Sequence, residues 1–248
     1  AGRITQTSPG TQARSVTLAR VTERTVVEGL VAQLVAIESV NPTLVPGGSG
    51  EAEVGRFVAD WLSVRGVETE YEEVEPGRAN VVGRVPGSGG GRTLLLNAHL
   101  DTVALGGADG GLEPRVDGDR LYGRGSYDMK SGLAAIMLAA ARAVDLRLAG
   151  DVIVTAVSDE EAASIGSERI AATVRADAAI VTEPTDMRLA IAHRGFVWLE
   201  VETHGVAAHG SRYDLGIDAI ARMGPVLVAL DKFDQRLRAG IPAHPLLE

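Results

Sequence analysis

Apolar residues recur along this chain with two different periods, and the change from one to the other marks out its elements. From Ser15 to Glu38, the residues Val21, Val26, Val27, Leu30, Val31 and Leu34 fall at helical spacing, which predicts a first amphipathic helix. After the turn-like SVNPTLVPGGSG, the run EAEVGRFVADWLSVRG repeats the helical pattern and closes on Gly66, a residue suited to the end of a helix. Two β-rich runs follow, VETEYEEV and NVVGRV.

The segment RTLLLNAHLDTV carries an uninterrupted apolar run just before His99, as a strand buried on both faces does. SGLAAIMLAAARAVDL then reads as a helix with a small-residue face, DVIVTAVS as another buried strand and AAIVTEPT as a third. This alternation predicts an α/β fold, a mixed and mostly parallel sheet covered by helices, with functional groups gathered beyond the carboxyl ends of the strands. Beyond Met187 the character changes. LAIAHRGFVWLEVETHG predicts a long strand or hairpin, and DLGIDAIARMGPVLVALDKFDQRLRAG a helix interrupted near Pro225. The expected organisation is a flexible lead-in over 1–14, a larger domain over 15–187, and the start of a smaller α+β domain over 188–248.

Composition narrows the chemistry. With 248 residues of which 45% are hydrophobic, the chain has enough apolar material for a substantial core. A formal charge of -9 argues against a nucleic-acid partner, since phosphate binding needs clustered Lys and Arg. Cysteine is absent, which excludes disulfides, thiolate metal sites and a cysteine nucleophile, so any metal must rest on His, Asp and Glu. No stretch approaches the roughly 18 continuous apolar residues of a membrane span, and the polar start lacks the centre of a secretory signal, so a cytoplasmic protein is expected.

The acids that follow the strand runs carry the candidate chemistry. In His99-Leu100-Asp101 an extended backbone points both polar side chains the same way, so that Asp101 is expected to accept the second ring N–H of His99 and fix its tautomer. Asp128 lies in GRGSYDMKSG, a glycine-rich turn entering a helix. It serves either as a carboxylate bridging two cations about 3.5–4 Å apart or as a helix N-cap. Glu160 and Glu161, within SDEEAAS, are adjacent where a buried strand emerges. Side chains facing opposite ways would make one a ligand and the other a base, whereas a solvated acidic helix start is the plainer alternative. Glu183, in VTEPT, is a ligand or a surface turn. Each motif alone is weak, but four such coincidences at strand ends point to one site. A single His with Asp and Glu ligands suits Zn²⁺, with Mn²⁺ or Co²⁺ as substitutes.

From about Ser15 onward, NAHLDTV, GRGSYDMKSG, SDEEAAS, VTEPT and GVAAHGS stand in an order and spacing that closely resemble the zinc peptidase family of acetylornithine deacetylase, succinyl-diaminopimelate desuccinylase, aminoacylase-1 and the glutamate carboxypeptidases. The resemblance implies two Zn²⁺ ions. His99 and Glu183 would each bind one of them, Asp128 would bridge them, and Glu161 would bind the metal not held by His99 or lie close beside it. Asp101 would then be the partner behind His99, and Glu160 the general base in hydrolysis of an amide. His209 matches a lid histidine that hydrogen-bonds the oxyanion and, in dimeric members, reaches the neighbouring subunit. The implied substrate is an N-acyl amino acid or small peptide, and the implied assembly a homodimer through the lid.

His193, His204 and His244 have no matching role. The family's last metal ligand is a histidine that comes after the lid, and this sequence ends before that point. The expectation is therefore that Ala1–Glu248 alone has weak or absent activity. The alternatives are a truncated or non-catalytic homologue acting as a binding module, and a two-metal phosphatase or nuclease.

Overall fold

A computed structural model describes residues 26–107, 111–193, 195, 197 and 199–240. The expected lead-in over 1–14, residues 15–25 of the expected first helix, and His244 lie outside them. The chain divides into two units, Ala1–Pro184 and Thr185–Glu248.

In the first unit, helix α1 covers residues 26–36 and α2 Ala52–Ser63. The buried positions of α2 are Val54, Gly55, Val58 and Leu62, one face of a 3.6-residue repeat. Gly66 follows with φ 83, a left-handed conformation that a side chain would strain and that ends the helix as its position predicts. Strands β1 (Glu68–Glu75), β2 (Arg78–Val85) and β3 (Leu94–His99) come next, then a short pair, β4 (Arg115–Asp117) and β5 (Arg120–Tyr122). A π-helical turn, Ser126–Lys130, leads into α3 (Ser131–Leu146), followed by β6 (Val152–Val157), α4 (Ile165–Thr173) and β7 (Ala178–Val181).

The main sheet has the order β1-β2-β6-β3-β7. β3 pairs in parallel with β6 and β7, whereas β2 lies antiparallel to both β1 and β6. β2 therefore runs against the other four, and the sheet is mixed and mostly parallel, as the alternating pattern implies. Every residue of β6 is buried, which explains its unbroken apolar run, whereas β7, which AAIVTEPT predicts to be buried as well, is an exposed edge strand. The pleat sends Val152, Val154 and Ala156 into a core shared with α1, α2 and α3, while Ile153 and Val157 meet Ile170 and Val174 of α4 and its flank on the opposite face. Helices thus cover both faces. Each fully buried Leu, Ile or Val contributes about 1.5–3 kcal/mol relative to exposure.

In the second unit the structure differs from the hydrophobic pattern in two places. Among the described residues of 189–205 no strand pairing forms, and the one bridge nearby joins Val206 to Ile217. Alternation sets which side chains share a face, but a strand requires a hydrogen-bonded partner, and none of the described residues supplies one. The second difference is that helix α5, Ala219–Gly240, runs through Pro225 rather than breaking there; the cost is the bond the Ala221 carbonyl would have received. No helix among the described residues is long and apolar enough to cross a membrane.

Candidate metal centre

The site forms where three parallel strands end. Register aligns His99 with Val157 across β3 and β6, and Asn97 with Val181 across β3 and β7. Glu183 is as far beyond Val181 as His99 is beyond Asn97, so the two emerge level with each other. The turn after β6 brings Glu160 and Glu161 alongside. Asp128 comes from the π-helical turn, whose entry at Gly125 has φ 75. There a side chain would also collide with Thr102.

His99 is the centre of the arrangement and is 1% exposed. Its Nε2 lies 3.1 Å from Asp128 Oδ1, 3.8 Å from Glu160 Oε2 and 3.9 Å from Glu183 Oε1. Two triplets, His99 with Glu160 and Glu183 and His99 with Asp128 and Glu161, can each bring one ligand atom per residue within 4.8 Å of the others.

The plainer readings of Asp128, Glu160 and Glu161 fail on geometry. Asp128 is no helix cap: α3 starts after Lys130 and has no side-chain cap. Glu160 and Glu161 precede α4 on a turn rather than opening it, so they are not a solvated helix start, nor do they sit on an extended segment.

One expected contact is corrected. Nδ1 of His99 bonds the backbone carbonyl of Asp101 at 2.9 Å, while the nearest carboxylate oxygen of Asp101 is 3.6 Å away. The carboxylate has other partners: Oδ1 accepts the backbone N–H of Glu160 at 3.0 Å, and Oδ2 accepts that of Glu161 at 3.1 Å. Asp101 still orients His99, but through its main chain, because its side chain is occupied in holding the Glu160–Glu161 turn.

Electrostatics show what the cluster lacks. Burial opposes charge on His99, yet the hydrogen bond to Asp128 and the charges of Asp101, Glu183 and Glu160 outweigh it and raise its pKa to about 9. Burial raises Glu183 to about 7; His99 opposes the rise, while Glu160 and Asp128 add to it. Burial likewise raises Glu160 and Glu161, whereas the hydrogen bond to His99 lowers Asp128. Four carboxylates thus converge on one imidazole, and burial, together with repulsion from neighbouring acids, makes three of them resist ionising unless positive charge is added. Divalent cations would supply that charge, and an imidazole with carboxylate oxygens is a donor set that Zn²⁺ accepts. The residues fit a metal centre.

The model of peptidase family M20/M25/M40 matches residues 95–237, which include His99, Asp128, Glu160, Glu161 and Glu183. The chain belongs to this family. It is 30% identical over 211 residues to the acetylornithine deacetylase of Aliivibrio fischeri, a match covering 83% of this chain and 55% of that enzyme. It is 32% identical over 210 residues to the acetylornithine deacetylase of Vibrio cholerae, covering 82% and 55%. The chain thus spans about half the length of these curated relatives. A tripeptidase of Staphylococcus aureus shares the fold with a TM-score of 0.61 at 17% identity, over 83% of this chain and 56% of that one.

His209 lies in the second unit, at the start of a short 3-10 turn, Gly210–Leu215. Its Nδ1 accepts the backbone N–H of Ser211 at 3.2 Å and lies 2.9 Å from the Ser211 hydroxyl. A neutral His209 therefore carries its proton on Nε2.

Sequence reasoning passed over the buried polar residues Asn41, Glu51 and Arg78 behind the site, and gave no role to Asp159, the acid that precedes Glu160. Lys130, 1% exposed, was also missed; its Nζ donates to the carbonyls of Leu34 and Ile37 at 2.9 and 2.8 Å and so closes the end of α1. For Arg78 and Lys130 a signal existed, since each is a charged residue set in an otherwise apolar run, RANVVGRV and MKSGLAA.

Proposed function

We propose that this protein is a two-zinc hydrolase that cleaves the amide bond of an N-acyl amino acid or small peptide. The observation that carries the reading is the convergence of Asp128, Glu160, Glu161 and Glu183 on the buried His99, at the carboxyl ends of parallel strands. Two family relatives are deacetylases of an acylated amino acid, which supports the substrate class.

His99, Asp128, Glu161 and Glu183 would hold the metals. Bound zinc supplies Lewis acidity, polarising the scissile carbonyl and acidifying the attacking water. Glu160, close enough to the ligands to meet that water, takes its proton as the C–O bond forms and delivers it to the departing amine nitrogen as the C–N bond breaks. Burial holds its pKa above that of an ordinary glutamate, which favours both halves of the transfer. His209, with Nδ1 engaged by Ser211, presents Nε2–H as a donor for the developing oxyanion. A homodimer through the second unit belongs to the same reading, supported by the exposed apolar side chains of Leu227, Val228 and Phe233 on α5. So does a cytoplasmic setting.

The test is a zinc-loaded full natural protein offered N-acetyl and N-succinyl amino acids, dipeptides and a phosphate ester. Amide cleavage that chelation abolishes is expected, with Glu160→Gln retaining its metal and losing about 100- to 10,000-fold in kcat. Cleavage of the phosphate ester alone, zinc binding without turnover, or full rate in Glu160→Gln would overturn the assignment.

A further inference from the structure

Behind the carboxylate cluster lies a second group of charged side chains that the proposed chemistry leaves unused. Arg78 of β2 is 4% exposed and Glu51, just ahead of α2, is fully buried. The two pair through Nε to Oε2 at 2.6 Å and Nη2 to Oε1 at 2.8 Å. The same guanidinium donates to Asp159 Oδ1 at 2.7 Å and to the Thr43 hydroxyl at 3.1 Å. Glu51 Oε1 also accepts the backbone N–H of Asp159 at 3.2 Å. Asp159 is thus held by both its amide and its carboxylate, at φ 64, where a residue with a side chain is strained.

Asn41, fully buried, closes the gap to the site. Its side-chain nitrogen donates to Asp159 Oδ1 at 3.0 Å and to Asp101 Oδ2 at 2.7 Å. Its Oδ1 accepts the backbone N–H of Thr43 at 2.8 Å, which settles which end of the amide faces the acids. Asp101 then holds the amides of Glu160 and Glu161. A continuous path runs from Glu51 through Arg78, Asp159, Asn41 and Asp101 to the main chain of the catalytic turn.

Burying one cation with three carboxylates is a costly way to fill an interior, and apolar residues of similar volume are often as stabilising. What such a group does well is lock geometry, because every lone pair it satisfies fixes a direction. Here the directions fixed are those of the backbone from Asp159 to Glu161.

We propose that Asn41 and Arg78 are positioning residues: through Asp101 and Asp159 they hold the backbone from which the general base and its neighbouring ligand project. The proposal rests on the reading of Glu160 and Glu161 given above.

The experiment compares Asn41→Ala, Arg78→Lys and the core variant Leu62→Ala in the full natural protein, reading kcat, KM, zinc affinity by chelator competition, and Tm. Asn41→Ala is expected to lower kcat and zinc affinity by about 10- to 100-fold each, the usual effect of removing support from behind a metal site, with KM moving less than about threefold. Arg78→Lys keeps the charge but loses the fork, and should show the same pattern more weakly. Leu62→Ala lowers Tm by opening a cavity but leaves kcat and zinc affinity unchanged. Wild-type kcat and zinc affinity in Asn41→Ala overturn the proposal, as do losses no larger than those of Leu62→Ala. If Asn41→Ala does not fold, Arg78→Lys decides by the same criteria. Zinc affinity is read without turnover, so a protein that cleaves no amide refutes the hydrolase reading while the positioning role is still judged.

Discussion

Filling the metal centre should expel protons, in a number that depends on pH. In the metal-free protein His99 titrates at about 9 and Glu183 at about 7, and both must be deprotonated to act as ligands. At pH 7, His99 is about 99% protonated and Glu183 about half, so metal uptake releases about 1.5 protons. The same reckoning gives about 1.9 protons near pH 6 and about 1.0 near pH 8. Protons compete with the metal, so affinity rises with pH, by about 1.9 logarithmic units per pH unit on the acid side and about one on the basic side. At pH 7 the proton on His99 alone weakens binding by about 100-fold relative to a neutral imidazole, the equivalent of two pH units. Isothermal titration of the chelator-stripped protein with zinc checks this, using buffers of different ionisation enthalpy near pH 6, 7 and 8. The slope of observed against buffer enthalpy counts the protons. Release below about half a proton at pH 7, or a count that does not change with pH, would refute the electrostatic argument.

The same shifts bear on stability. Glu183 and His99 both have folded pKa values above their unfolded ones of 4.5 and 6.5, so the stability they contribute is present in acid and is lost as pH rises through about 7 and about 9. The Tm of the metal-free protein should therefore fall between about pH 5 and pH 8, and a rising Tm would contradict this. Lys130, lowered to about 8 by burial, acts in the opposite sense only above that pH. Gly132→Ala places a methyl against the carbonyl and hydroxyl oxygens of Thr182, the residue before Glu183. Urea unfolding should show a loss of about 1–3 kcal/mol, with weaker zinc binding, and a variant unchanged in both would deny the close approach of α3 to the end of β7. His209→Ala should reduce kcat by about 100- to 1,000-fold at unchanged zinc content, and a normal kcat removes His209 from the oxyanion role.

Much of the fold can be read locally because burial writes itself into the pattern. The apolar run VIVTAV is continuous since helices cover both faces of β6, and acids placed straight after such runs stand at the strand ends where sites form. The run over 189–205 shows the limit: its alternation describes a face, and pairing depends on chain elsewhere.

The chain by itself determined which residues would gather, His99, Asp128, Glu160, Glu161 and Glu183, because each is tied to its strand or turn by a few residues of local sequence. Only the tertiary structure decided how they are held. Asp101 gives its carbonyl to His99 and its carboxylate to the turn, and Asn41 reaches Asp101 and Asp159 across 60 and 118 residues of chain. The physical reason is separation: periodicity and capping act over a turn or a strand, whereas these bonds exist only after β2, β6 and β3 have come into register.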